Sequence, residues 1–86
     1  MSSAVIKNAE PVIIRGYGNE PVRLRATSVR DGVVEAVGAD EDSPMGFPSE
    51  DVFQFDVGLF KKLRTAYAAG ESQAVIDLWK RATPYT

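Results

Sequence analysis

The chain has 86 residues, enough for one small domain and too few for two independent cores. It is 44% hydrophobic and 26% charged, with a net charge of -2, so neither a disordered chain nor a broadly basic nucleic-acid coat fits. With no cysteine and no histidine it has no disulfide, no thiol nucleophile, no zinc site of thiolate or imidazole and no imidazole base.

The first ten residues are small and polar enough to fray, with Val5 and Ile6 able to begin a short edge strand. From Pro11 to Tyr17 the β-branched run Val12-Ile13-Ile14 predicts a strand, punctuated by Gly16 and Gly18-Asn19. A second strand is expected over about 22–29, where Val22, Leu24 and Ala26 alternate with Arg23, Arg25 and Thr27. Arg30-Asp31-Gly32 is a tight-turn sequence leading into Val33–Val37, which predicts an antiparallel hairpin with the second strand. Residues 38–51 read as a long loop with an acidic stretch, Asp40-Glu41-Asp42, and the apolar residues Met45 and Phe47. Val52-Phe53-Gln54-Phe55 reads as a short fourth strand. The segment Gly46-Phe47-Pro48-Ser49, with Val52 three residues on, resembles the closing turn and last strand of SH3-like barrels, over less than a tenth of the chain. That resemblance implies a small sheet curled toward a barrel.

The hydrophobic period then becomes helical. Asp56 can cap a helix with its apolar stripe at Leu59, Phe60, Leu63, Ala66 and Tyr67, and Gly70 suits the left-handed residue after its end. A second helix starts at Glu71 or Ser72, presents Val75, Leu78, Trp79 and Ala82, and ends near Thr83 because Pro84 follows. Each is too short to be stable alone, so the two should pack as a hairpin on one face of the sheet. The expected fold is α+β in a single domain over 1–86. Its β part, over 11–55, is a small twisted antiparallel sheet of three or four strands. Its two-helix part, a C-terminal helical hairpin, covers 56–83. The charge divides along the same line, with a net -4 over residues 1–55 and +2 over 56–86.

The sequence holds little catalytic material, since only Asp, Glu, Lys, Tyr and Ser remain as reactive groups. Three adjacent carboxylates at Asp40-Glu41-Asp42 splay apart in an extended loop and lack the alternate spacing of a calcium loop. Gly16-Tyr17-Gly18 leads into a strand, whereas a phosphate loop must open a helix. No catalytic site, metal site or cofactor is therefore expected, and binding is the remaining class of function.

Two binding surfaces stand out. In the first, Met45, Phe47 and Pro48 form an apolar loop tip beside carboxylates that would steer a basic protein partner; against this, Phe47 can fold back to complete a small core. In the second, Arg15, Tyr17, Arg23 and Arg25 set cations beside an aromatic ring on a strand face, as single-stranded nucleic acid requires. Against that stand the acidic N-terminal half and the ordinary alternation of charge on any wet strand face, with Glu20, Glu35 or Glu50 as partners. Trp79, Phe60 and Tyr67 read as core, with the Trp79 N–H at the edge reaching water, and Lys61, Lys62 and Arg64 as a solvated helix face. With no long apolar run and no leader-like start, the expected setting is soluble and cytoplasmic, away from membranes. The resulting expectation is a non-enzymatic protein-interaction or accessory module, with single-stranded nucleic-acid binding as the alternative.

Overall fold

A computed structural model describes residues 4–86, with side chains from Ala9 onward. Five strands run as β1 (Ala4–Arg15), β2 (Pro21–Arg30), β3 (Val33–Val37), β4 (Met45–Pro48) and β5 (Val52–Gln54), followed by helices α1 (Val57–Ala68) and α2 (Ser72–Trp79). The sheet is antiparallel throughout, in the order β4-β3-β2-β1-β5. The α+β expectation of a sheet followed by a helical hairpin holds, with five strands in place of three or four.

The added strand comes from the segment read as a loop, since Met45–Pro48 pairs with β3 from Val33↔Pro48 to Ala36↔Met45. A single 3-10 turn, Ser49–Asp51, then carries the chain from β4 into β5, which crosses back to pair with β1. The residues that resemble the last elements of an SH3-like barrel thus form the end of β4, this turn and the start of β5. Among the described residues no ladder joins β4 to β5, so the sheet is curled but open.

The curl has a local cause at Thr27. On one side of β2, Val5↔Ser28 and Glu10↔Ala26 leave four residues of β1 facing Thr27 alone; on the other side, Ala26↔Ala36 and Ser28↔Glu35 leave Thr27 with no partner in β3. Bulges on both flanks of one residue bend and twist the strand there, and the Thr27 hydroxyl donates to the Glu35 carbonyl at 3.2 Å. This long irregular pairing also extends the expectation for the N-terminus. Ala4–Glu10 belong to β1 and so are strand: the edge strand expected at Val5 and Ile6 is formed as the start of a longer one, paired with β2 alone, since β5 joins β1 only at Val12–Ile14; fraying of residues 1–3 lies outside the described residues.

The hairpin turn between β2 and β3 is formed as expected, with Asp31 (φ 50°) and Gly32 (φ 77°) both left-handed. Asp56 caps α1 by accepting from the Leu59 N–H at 3.1 Å, and Gly70 (φ 71°) ends the turn beyond it. Helix α2 is shorter than expected, ending at Trp79. Its chain continues through a turn into Thr83–Tyr85, which lies along β5: Gln54 N–H donates to the Thr83 carbonyl at 2.8 Å and Tyr85 N–H to the Val52 carbonyl at 3.1 Å.

Two apolar clusters flank the same strands. Val12, Ile14 and Val52 face the hollow of the curled sheet with Ala26 and Val34, while Ile13 and Phe53 face the helices with Leu63, Ala66, Val75 and Trp79. The unbroken run Val12-Ile13-Ile14 is therefore buried on both faces, which explains why it does not alternate.

The free edge of β4 is blunted. Ser49 N–H donates inward to the Gly32 carbonyl at 2.8 Å, so by the antiparallel alternation the N–H positions aimed away from β3 are those of residues 46 and 48. Pro48 has no N–H, and Pro44, the next outward position along, has none either. Restoring both donors in a Pro44→Thr, Pro48→Thr double variant should make the chain self-associate. In sedimentation velocity its coefficient should rise with concentration beyond that of the unsubstituted chain.

Candidate functional site

The four residues expected to carry nucleic acid do not form one free surface. Arg15, Arg23 and Arg25 do share a face, since Arg15 lies opposite Pro21, Ile13 opposite Arg23 and Pro11 opposite Arg25. Arg15, however, is half-buried and committed. Its Nη2 and Nε donate to Asp51 Oδ1 at 2.9 and 3.2 Å, its Nη2 also donates to the Glu50 carbonyl, and its guanidinium lies 5.3 Å from the Phe53 ring centre and 6.0 Å from that of Trp79. This bifurcated ion pair joins β1 to the turn before β5, and neither Glu20, Glu35 nor the Glu50 carboxylate is its partner. Glu35 instead accepts from the Ser28 hydroxyl at 2.6 Å.

Tyr17 lies beyond the strand, in a 3-10 turn over Tyr17–Asn19, and is 99% exposed. The turn itself is held at its base by Gly16 N–H donating to the Glu20 carbonyl at 2.8 Å, and by the Trp79 indole N–H donating to the Asn19 carbonyl at 2.9 Å. That indole bond corrects the expectation that Trp79 would reach water. Arg23 stacks over Phe55 at 4.7 Å, which in turn meets Phe60 at 5.7 Å. Among the described residues neither Arg23 nor Arg25 makes a salt bridge.

The expected protein-binding residues separate by role. Phe47 lies opposite Val34 on the hollow side of the sheet and packs half-buried against the cluster of Val12, Ile14, Ala26, Val34 and Val52. Met45 shares that side, two residues back at the rim, and is 61% exposed; Pro48 is exposed on the other side of the strand. The acidic stretch just ahead of them is solvent-facing, with Glu41 Oε1 accepting from the Gly38 N–H at 3.2 Å. Among the described residues no three acidic side chains gather in a cluster that would hold a metal ion, and no helix is long and apolar enough to cross a membrane.

One polar pair escaped the sequence reading. Tyr85 reaches back from the C-terminal segment, and its hydroxyl donates to Glu10 Oε1 at 2.5 Å. Partners 75 residues apart leave no local signal. Burial first, then the hydrogen bond to Glu10 and its negative charge, push the Tyr85 phenol up to about 12 from 10.0.

Comparison with protein-family models, with curated proteins and with solved structures found no match.

The raised phenol sets a pH dependence. Below pH 10 both the docked and the released tail hold a neutral Tyr85; between pH 10 and about 12 only the released tail ionises, so the docked state loses stability as pH rises. Tyrosinate absorbance of the folded chain should therefore include a step near pH 12 that is missing in Tyr85→Phe.

Proposed function

We propose that this chain is a small non-enzymatic interaction module that binds another protein, and that Met45, with Pro48 beside it, contacts the partner. The observation that carries this reading is Met45 itself, a large flexible apolar side chain held 61% exposed on β4 while the core beneath it is filled by Phe47. The carboxylates of Asp40, Glu41 and Asp42 precede it on exposed chain, which favours a partner with basic groups around an apolar pocket. Because Pro44 and Pro48 strip outward donors from β4, contact runs through side chains and not by addition of a strand. A module of this size and charge, without cysteine or histidine, suits a cytoplasmic accessory role.

Nucleic acid is the weaker reading. Of the four residues that motivated it, Arg15 is spent on Asp51, and the acidic loops oppose phosphate attraction.

The two roles assigned to Met45 and Phe47 separate by experiment. Met45→Asp should abolish capture of the partner from lysate while leaving Tm unchanged. Phe47→Ala should cost about 1–2 kcal/mol, less than for a fully buried phenylalanine, and lower Tm by roughly 5–15 °C. Capture that survives Met45→Asp places the contact elsewhere and contradicts the proposal.

A further inference from the structure

Where the arginine face of β2 runs out from under the helices, a concavity of about 430 Å3 opens between β1, β2 and the chain leaving β3. Its lining is Ala9, Pro11, Arg23, Leu24, Arg25 and Ala39. Two features set it apart from the other concavities. The first is charge. In a chain with 12 acidic and 10 basic groups, this lining holds, among the described residues, two guanidinium groups and no carboxylate. The larger groove between the helices interleaves Lys61, Lys62 and Arg81 with Glu71 and Asp77, and the cavity beside Tyr85 is lined by the Glu10 carboxylate and, among the described residues, by no cation.

The second feature is preorganisation. Arg23 lies over the Phe55 ring at 4.7 Å, which holds its guanidinium without consuming its fork of donors. Arg25 is two residues along the same strand face, roughly 7 Å away by strand rise. Among the described residues neither is paired with an acid. Two adjacent, unpaired forks at the mouth of an otherwise apolar cavity match an oxyanion of charge near -2 attached to a small apolar body.

We propose that this cavity binds a small organic phosphomonoester, its phosphate bridged by Arg23 and Arg25 and its organic part against Pro11 and Ala39. A phosphomonoester carries about -1.5 to -2 at pH 7, with a second pKa near 6, so it balances the two arginines where a carboxylate balances one. The site is separate from the Met45 surface and stands or falls apart from it.

The test is an amide-resolved NMR titration of the labelled chain with phenyl phosphate, with benzoate and a short single-stranded oligonucleotide as parallel probes. Phenyl phosphate should give saturable shifts at Ala9, Arg23, Arg25 and Ala39, tightening several-fold from pH 5 to pH 7 as the phosphate gains its second charge. Benzoate should bind more weakly. Arg25→Gln, which leaves the Arg23–Phe55 stack in place, should weaken phenyl phosphate roughly tenfold or more without changing Tm. The inference is overturned if phenyl phosphate gives no saturable shift at millimolar concentration, or if benzoate binds equally well. Shifts produced at these amides by the oligonucleotide alone would equally overturn it and make the surface a nucleic-acid interface.

Discussion

The structure depends on three consecutive side chains in the middle of β1. Val12 and Ile14 point into the hollow of the curled sheet and Ile13 points the other way, into the helices, and all three are essentially removed from solvent. Burying a side chain of this size is worth about 1.5–3 kcal/mol. Three of them therefore contribute on the scale of the whole net stability of a domain this small, roughly 4–13 kcal/mol. Among the described residues no other segment serves both clusters so fully; β5 contributes Val52 to one and Phe53 to the other in a strand of only three residues. Each cluster alone is too small to sustain a fold, and β1 makes them one body.

The polar contacts reinforce that join. Arg15, at the end of β1, ties to Asp51 at the entrance of β5 and stacks toward Phe53 and Trp79, while the Trp79 indole ties α2 to the turn that follows β1. Tyr85 closes the far side, bringing the C-terminal segment over β5 and onto Glu10. Strand β5 is thus covered on its outer edge by the chain's own end, and β4 is protected differently, by prolines. Along β4 and β5, whose outer edges are blunted or covered, what is left for recognition is side chains. Met45 sits at one rim and the Arg23–Arg25 face on the other side of the sheet.

Much of this was legible in the sequence because it rests on local rules. The Asp31-Gly32 turn, the Asp56 cap, the Gly70 stop and the 3.6-residue stripes of both helices each follow from residues within a turn of one another. What escaped is non-local. Met45-Gly46-Phe47-Pro48 is only four residues long, with a glycine within it and prolines at 44 and 48, so its pairing with β3 is set by tertiary register, not by propensity. The early part of β1 looks too polar for a strand, and it is one because β2 runs beside it. Arg15, Arg23 and Arg25 share a strand face, as the alternation predicts, while Tyr17 lies in the turn beyond it and Arg15 is tied to Asp51. Face alternation is visible in sequence, whereas the capture of Arg15 by an aspartate 36 residues away is not.

The central claim, that β1 couples the two clusters into one cooperative unit, is tested by unfolding Ile13→Ala in urea with a probe on each side. Fluorescence of Trp79, the single tryptophan, reports the helix side, and the methyl signals of Val34 report the hollow of the sheet. Ile13 touches only the helix-side cluster, yet both midpoints should fall together, by the same amount, in one transition. A Trp79 midpoint that falls while that of Val34 stays in place would mean that the helices unfold from an independently stable sheet, and would contradict the account.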